Sequence, residues 1–364
     1  NLKAQVEAGQ ALLENDAATE EEIKEQADKI LSAIEALVPM TSEEGWDGKT
    51  VKKPTMFATS VYISSPEELA WVAQQVNRGT TEIDAIFLDN DINLNGKEWT
   101  PIGTKENPYK GWFYGNGYTI SNLSITSDGK YRGLFGYVMG EEEETVSFQD
   151  VTINGSMQVS DTYAGGLIAS AKYVDISEVD SYVNITNTKE YSGYTAGIVG
   201  ELSNSTVELC SNYGDITAEK ASSIGGIVGW ANGCNLYDCR NEGDITGEKS
   251  TGGVAGFFRA STKTSVLSGS YNTGTIIGSS EVGGVAGAIT MDSAAMGLLN
   301  QLYNRGDVTA QHTVGGIAGS FSGRNSFLSA AYSTGVITAT SSIGKSSGAV
   351  GRLFHGTIMS VYAL

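Results

Sequence analysis

Short runs of alternating apolar and polar residues, separated by glycines, recur along most of this chain. An apolar pair enclosed by glycines reads GGIVG at 225–229, GGVAG at 283–287 and GGIAG at 315–319. The glycine before this pair returns at intervals of about 30 residues, a period typical of repeat proteins. The copies are Gly133, Gly166, Gly197, Gly226, Gly253, Gly284, Gly316 and Gly348.

A second block follows each of the later glycine blocks. It reads NYGDIT at 212–217, NEGDIT at 241–246, NTGTII at 272–277, NRGDVT at 304–309 and STGVIT at 333–338. Apolar residues alternate between the two blocks, so each unit predicts three short strands and no helix. One unit cannot bury its own apolar face, but stacked units can, with every strand pairing in parallel with its copy one coil away. The repeats therefore predict an all-β fold, a right-handed parallel β-helix or β-solenoid of about eight coils.

Equivalent residues of a solenoid stack on one another, which predicts two internal ladders. The first is aliphatic: Ile216, Ile245, Ile276, Val308 and Ile337. The second is polar: Asn212, Asn241, Asn272 and Asn304. We expect the asparagines at a coil corner, where this residue tolerates left-handed backbone and its amide can bond to the copies above and below. The glycines are expected to supply positive φ and to let backbones approach closely.

Two segments ahead of the repeats predict helices. Residues 66–77 place Leu69, Val72, Ala73 and Val76 on one face, and we expect this short helix to cap the open N-terminal end of the solenoid. Ahead of it, two amphipathic stripes predict a small α-helical hairpin.

Three regions follow from these patterns. Residues 1–40 form the hairpin, 41–130 a linker and N-terminal cap with the first coils, and 131–364 the repeats. The final TIMSVYAL, 357–364, stops midway through a repeat. We expect either a further cap or a partner to cover that end.

Charge and composition narrow the range of partners. The net charge of -19 repels nucleic acid and anionic lipid, so neither is expected as a partner. No apolar run is long enough for membrane insertion. Cys210 and Cys239 occupy equivalent positions with Cys234 nearby, and they can be buried small hydrophobes as easily as a disulfide. The two histidines lie in no metal-ligand spacing, and we expect no metal and no cofactor.

Three equivalent tyrosines are candidates for binding. Tyr271, Tyr303 and Tyr332 occur in consecutive coils. A stack of aromatic rings is either good packing at a corner or, when exposed, a platform for sugar rings.

A pair of equivalent carboxylates is a candidate for chemistry. Asp215 and Asp244 should lie about 5 Å apart, where they could share a cation or act as the pair of a retaining glycosidase. The same residue type recurs at Asp307, which favours a structural role in the turn. Arg240 and Arg305 lie in turns without basic neighbours. We therefore expect no catalytic residue.

The repeat resembles a known family. The glycine block, the YNxGD[IV]T block and RGLFG at 132–136 resemble the GLUG repeat, and the lead-in at 64–79, 88–103 and 111–125 is similar to the segment that usually precedes it. The resemblance covers about residues 46–364. GLUG repeats occur in bacterial surface proteins, including regions outside the catalytic domain of some immunoglobulin A-cleaving metallopeptidases. NDAATEEE, within the predicted hairpin, resembles part of a FIVAR module, another unit of bacterial cell-surface proteins.

The resemblance implies a β-solenoid and a function. It implies a non-catalytic extracellular or cell-surface protein of a bacterium, an adhesin-like scaffold or stalk within a larger chain. Its partners would be a host or dietary glycan, a host surface protein, or other domains of the parent chain. The alternative is a polysaccharide-degrading β-helix enzyme, either a lyase or a glycoside hydrolase.

Overall fold

The structure is a computed structural model that describes residues 45–363 together with Thr19, Gln26 and Lys29. Residues 46–364 form one compact unit. The predicted helical hairpin at residues 1–40 lies outside the described residues, apart from those three.

The described repeats form a parallel β-solenoid of about nine turns, which confirms the predicted fold. Between named strands, the pairing in residues 45–363 is parallel except for one hairpin, Thr55–Phe57 with Ser60–Ile63. The strands build a 29-stranded sheet and an 8-stranded sheet. The smaller sheet consists of the strands that enter each glycine block, here called the glycine strands. They are Tyr131–Arg132, Tyr163–Gly165, Tyr194–Ala196, Ser223–Gly225, Lys249–Gly252, Ser280–Gly283, Thr313–Gly315 and Lys345–Ser347.

The larger sheet contains the remaining strands. The lead-in supplies Thr55–Phe57, Ser60–Ile63, Ala85–Leu88, Ile92–Asn93, Trp112–Tyr114 and Thr119–Ile125. Strands that leave the glycine block are Phe135–Met139, Ile168–Lys172, Val199–Ser203, Val228–Asn232, Ala255–Ala260 and Ala286–Met291. Next in each coil come Thr206–Glu208, Asn235–Tyr237, Thr264–Ser268 and Met296–Asn300, and then Ser211–Asn212, Arg240–Asn241, Tyr271–Asn272 and Tyr303–Asn304. The coil ends with Ile216–Ala218, Ile245–Gly247, Ile276–Gly278, Val308–Ala310 and Ile337–Ala339. Four long strands merge several of these segments: Val146–Val159, Val174–Asn187, Ala318–Ser333 and Val350–Ala363.

The helix ahead of the repeats spans Pro66–Arg78 and confirms the predicted helix. Proline at its first position has no N–H to lose, and Gly79 ends it in the left-handed conformation with φ 62°. Its buried face is the predicted one: Leu69, Val72, Ala73 and Val76. These side chains join the core that continues into the solenoid. No helix in the part of the chain that the structure describes is long and apolar enough to span a bilayer.

The predicted aliphatic ladder is present. Ile216 pairs with Ile245, which pairs with Ile276, and the register continues through Val308 to Ile337. All but the last are buried. The inward side chains at this position of successive coils therefore stack in one column of aliphatic residues.

The asparagine ladder is confirmed, but its backbone is not left-handed. The Nδ2 of Asn212 donates to Oδ1 of Asn241 at 2.7 Å, and the same bond links Asn241 to Asn272 and Asn272 to Asn304. All four residues are fully buried at the ends of short strands. Extended backbone is what turns each amide inward and towards the next coil, so the left-handed expectation was wrong. Other residues adopt that conformation: Glu178, Leu209, Asp238, Gln301 and Ala330.

The repeated glycines serve close approach and not positive φ. None of the eight aligned glycines has φ in the left-handed region, so that part of the expectation was also wrong. A Cβ on Gly253 would lie 2.5 Å from Cγ of Asn272 and closer still to the carbonyl oxygen of Gly284. Gly226 faces Asn241 and Gly284 faces Asn304 in the same way. The glycine thus leaves room for the buried asparagine of its own coil and for the backbone of the next.

Candidate functional site

The three tyrosines of the sequence analysis form one continuous stack. Each precedes a ladder position of its coil, so alternation along the strand turns the ring outward as Asn272 or its equivalent turns inward. The ring centroids of Tyr271 and Tyr303 are 4.5 Å apart and those of Tyr303 and Tyr332 are 5.2 Å apart, with interplanar angles of 8° and 5°. Tyr332 is 37% exposed and the other two are half-buried. The rings therefore pack on one another while their outer edges remain accessible. We call these three residues the tyrosine ladder.

Guanidinium groups accompany the tyrosine ladder. Arg305 lies over the ring of Tyr303, 5.3 Å from its centroid. Arg240 pairs in register with Tyr271 and lies 5.3 Å from the centroid of Tyr213. Arg240 belongs to a strand, which corrects its expected place in a turn. Its guanidinium also bonds to the Tyr213 hydroxyl and, at 2.9 Å, to Oγ of Ser211.

A second tyrosine pair extends this surface, and the sequence analysis missed it. Tyr213 stacks on Tyr182 with centroids 4.4 Å apart and ring planes within 7°. Its position follows Asn212 directly, where later repeats carry Glu242, Thr273 or Arg305. Aligning that variable position across coils would have placed Tyr213 beside the ladder.

A groove of about 560 Å³ adjoins the tyrosine ladder. Arg240 and Tyr271 stand at one end of it. Its length covers six coils, or about 24 Å at the usual spacing of paired strands. Four carboxylates line it: Asp150, Glu178, Asp180 and Asp238. The strip formed by groove and ladder is therefore long and outward-facing, with carboxylates along the groove and tyrosine rings beyond one end of it.

The carboxylates of Asp215 and Asp244 have a bonding role between coils. Oδ1 of Asp215 accepts the N–H of Asp244 at 3.0 Å, and Oδ1 of Asp244 accepts the N–H of Thr275 at 2.7 Å. Asp307 repeats the arrangement with the N–H of Val336 at 2.8 Å. Neither Asp215 nor Asp244 lines the groove. These hydrogen bonds between coils explain why aspartate recurs at this position of the repeat.

The described residues form neither a metal-binding site nor a site with a reactive thiol. No group of three or more His, Cys, Asp or Glu side chains within them could hold a metal ion. Cys210, Cys234 and Cys239 are free and buried. Burial raises the pKa of the Cys234 and Cys239 thiols to about 12, and it raises that of Cys210 as well. All three are thus uncharged inward hydrophobes, and the disulfide left open above is not formed.

Comparison with known proteins gives a distant likeness to a solved structure. No protein-family model matches the chain, and no curated protein matches it. Among solved structures, the chain is similar to one named "putative immunoglobulin A1 protease from Bacteroides ovatus". The two chains are 16% identical, the match covers 85% of this chain and 87% of that chain, and the TM-score is 0.47. A likeness of this size transfers no activity.

Proposed function

We propose that this protein is a non-catalytic binding scaffold, and that the tyrosine ladder with its adjoining groove is the surface that binds. The observation that carries the proposal is the stack of three parallel rings whose outer edges are accessible. A row of ring edges held at a fixed spacing offers apolar contact to the apolar faces of sugar rings and loses little entropy on binding. The GLUG resemblance supports an extracellular or cell-surface role as an adhesin-like scaffold or stalk within a larger bacterial protein.

The proposed ligand is a neutral glycan. Four carboxylates line the groove, and the whole chain carries a net charge of -19, so polyanionic chains are repelled on approach. Arg240 and Arg305 are held against tyrosine rings and offer hydrogen-bond donors to hydroxyl groups. A host or dietary polysaccharide without sulfate or uronate fits both features.

Substitution of the central ring tests this proposal. Tyr303→Ala removes both stacking contacts of the ladder, and we expect it to lower affinity for a neutral polysaccharide by about tenfold or more, as loss of a central aromatic anchor does. Tyr303→Phe keeps the ring and should bind within about twofold of wild type. Affinity electrophoresis through gels containing neutral, uronate or sulfated polysaccharides measures the effect.

The matched control is Tyr191→Ala. Tyr191 is 81% exposed and lies outside the ladder, so its removal should leave retardation unchanged. The proposal fails if no neutral polysaccharide retards the wild-type protein, or if the Tyr303 and Tyr191 variants behave alike.

The non-catalytic assignment has its own test. Incubated with the same polysaccharides, the protein is expected to release no new reducing ends. If ends do appear, Asp215→Asn and Asp244→Asn decide their origin, because asparagine keeps the Oδ1 acceptor that joins the coils and removes the charge. Release that disappears in these variants would make the protein a β-helix depolymerase.

A further inference from the structure

A second aromatic surface lies away from the tyrosine ladder, where the glycine strands meet the strands that follow them. Tyr131, Tyr163 and Tyr194 are in register on three glycine strands. The first two rings stack with centroids 4.9 Å apart, and Tyr163 meets Tyr194 edge-on at 5.6 Å. Across the turn, Tyr137 contacts Tyr131 at 5.2 Å and Trp230 stacks on Tyr194 at 5.8 Å. We call these five residues the aromatic corner.

One carboxylate lies inside the aromatic corner. In the strand register, Tyr137 pairs with Ser170, Ser170 with Glu201, and Glu201 with Trp230. Glu201 is therefore flanked by Trp230 on one side and by a serine on the other. Oε2 of Glu201 accepts a hydrogen bond from Oγ of Ser170 at 2.7 Å. Among the described residues it has no ion-pair partner within 4.0 Å, and its side chain is half-buried.

The charge of Glu201 acts on the surrounding rings. Burial, reinforced by this carboxylate, raises the pKa of Tyr163 to about 12 and raises those of Tyr131, Tyr137 and Tyr194. Burial also raises the pKa of Glu201 itself, against the smaller opposing effects of the Ser170 hydrogen bond and of Lys130. The carboxylate and the phenols thus share one partly dry environment.

Glu201 has no role in the repeat that would account for its presence. Its column runs through Tyr137, Ser170, Trp230 and Phe257, with no other acid among them. Asp215 and its equivalents recur because each bonds to the next coil, whereas Glu201 accepts only a side-chain bond. Since its pKa is raised on folding, its contribution to stability is complete at low pH and is lost as the pH rises through that pKa. The folded protein therefore disfavours the ionised form of Glu201, and groups with such perturbed pKa values cluster at functional sites.

A cation already lies on this surface. Nζ of Lys130 is 5.5 Å from the ring centroid of Tyr131 and 5.9 Å from that of Tyr163. Electron-rich ring faces together with an unpaired carboxylate attract positive charge and repel anions. Lys130 is the chain's own example of the group that the surface accepts.

We propose that the aromatic corner binds the side-chain ammonium of a lysine on a partner polypeptide. The ammonium donates to Oε1 of Glu201, the carboxylate oxygen that Ser170 leaves unused, while the alkyl stem lies on the rings of Tyr163 and Trp230. A primary ammonium fits better than a quaternary one because only the former can donate a hydrogen bond to that oxygen. Charge complementarity selects this occupant over an acidic or neutral segment.

Immobilised peptides provide the test. The probe is a short, N-acetylated and C-amidated Gly-Ser peptide with one central lysine, compared with the same peptide carrying Nε-acetyl-lysine or trimethyl-lysine. Surface plasmon resonance should show that the full chain binds the lysine peptide. Its affinity for the acetyl-lysine peptide should be at least about tenfold lower. Trimethyl-lysine should bind more weakly than lysine, and equal or tighter binding would overturn the assignment of a primary ammonium.

Glu201→Gln is the decisive variant because it keeps the shape and an acceptor for Ser170. It should lose at least about tenfold in affinity for the lysine peptide, with a melting temperature no lower than that of the wild type. Trp230→Ala should weaken binding too, and Tyr191→Ala should not. Equal binding by wild type and Glu201→Gln, or equal binding of lysine and acetyl-lysine peptides, would overturn the proposal.

The pH dependence gives an independent check. Binding should fall as the pH drops through the raised pKa of Glu201, above the ordinary glutamate value of 4.5, because protonation removes the charge. The other titratable groups facing Glu201 are Lys130 and the phenols of Tyr131, Tyr137, Tyr163 and Tyr194, and raised pKa values keep those phenols neutral in this range. Binding that stays constant as the pH falls from neutrality to the ordinary glutamate pKa of 4.5 contradicts the proposal. Its failure would leave glycan binding at the tyrosine ladder untouched, because the two surfaces share no residue.

Discussion

Gly253→Ala should destabilise the solenoid by about 3 kcal/mol or more, although Gly253 does not have the positive φ that alanine disfavours. The new Cβ would lie 2.5 Å from Cγ of Asn272 and overlap the carbonyl oxygen of Gly284. Overpacking a filled interior costs roughly 1–3 kcal/mol, occasionally more. Here both obstacles are fixed, one as backbone of the next coil and the other as a member of a buried ladder. Urea unfolding followed by circular dichroism measures the loss.

Gly117→Ala is the matched control because it separates backbone strain from steric overlap. Gly117 has φ 75°, and a Cβ there would come no closer than 3.8 Å to any neighbour. Its replacement should cost only about 1–2 kcal/mol, the usual penalty for a side chain in left-handed backbone. If Gly117→Ala proves the more damaging of the two, close approach is not the reason for the glycine repeat.

The ladders were predictable because stacking in a solenoid converts sequence period directly into contact. Ile216 and Ile245 recur in register in the sequence and pair in register in space. The same holds for Tyr271 and Tyr303, whose rings stack at the spacing of the coils. A period and an alternation are enough for such contacts, since neither depends on how the turns are shaped.

Contacts across a turn were not predictable in the same way. Tyr194 and Trp230 belong to different strands of successive coils, and their stacking depends on how the glycine turn folds one strand over the other. No repeat of the sequence brings them together. Glu201 escaped notice for a related reason, since it is a single departure from the pattern of its column.

The backbone conformation of individual corner residues could not be predicted from the sequence either. Asparagine is a common left-handed residue, so Asn212 and its equivalents were assigned that role. The structure gives the left-handed backbone to Leu209 and Asp238, three residues before Asn212 and Asn241. Burial of the amide ladder determined the outcome, because a buried amide must find partners while an exposed turn can use many residue types.

Asn272→Ala should cost about 3–5 kcal/mol, because truncation leaves three buried groups without their partner. The Nδ2 of Asn272 donates to the carbonyl oxygen of Gly274 at 2.7 Å and to Oδ1 of Asn304 at 2.8 Å. Its Oδ1 accepts from Nδ2 of Asn241 at 2.7 Å. A buried polar group left unsatisfied costs about 1–3 kcal/mol, and the whole domain is worth only roughly 5–15 kcal/mol.

The adjacent exposed position supplies the control for this substitution. Thr273→Ala changes a side chain that points to solvent and should stay within about 0.5 kcal/mol of wild type. Asn304→Ser should fall between the two, because serine already ends the ladder at Ser333, where its Oγ accepts from Asn304 at 3.3 Å. Guanidinium unfolding of the three variants gives the order of their stabilities. If Asn272→Ala is as stable as Thr273→Ala, the asparagine ladder is a consequence of the stacked coils and not one of the interactions that hold them together.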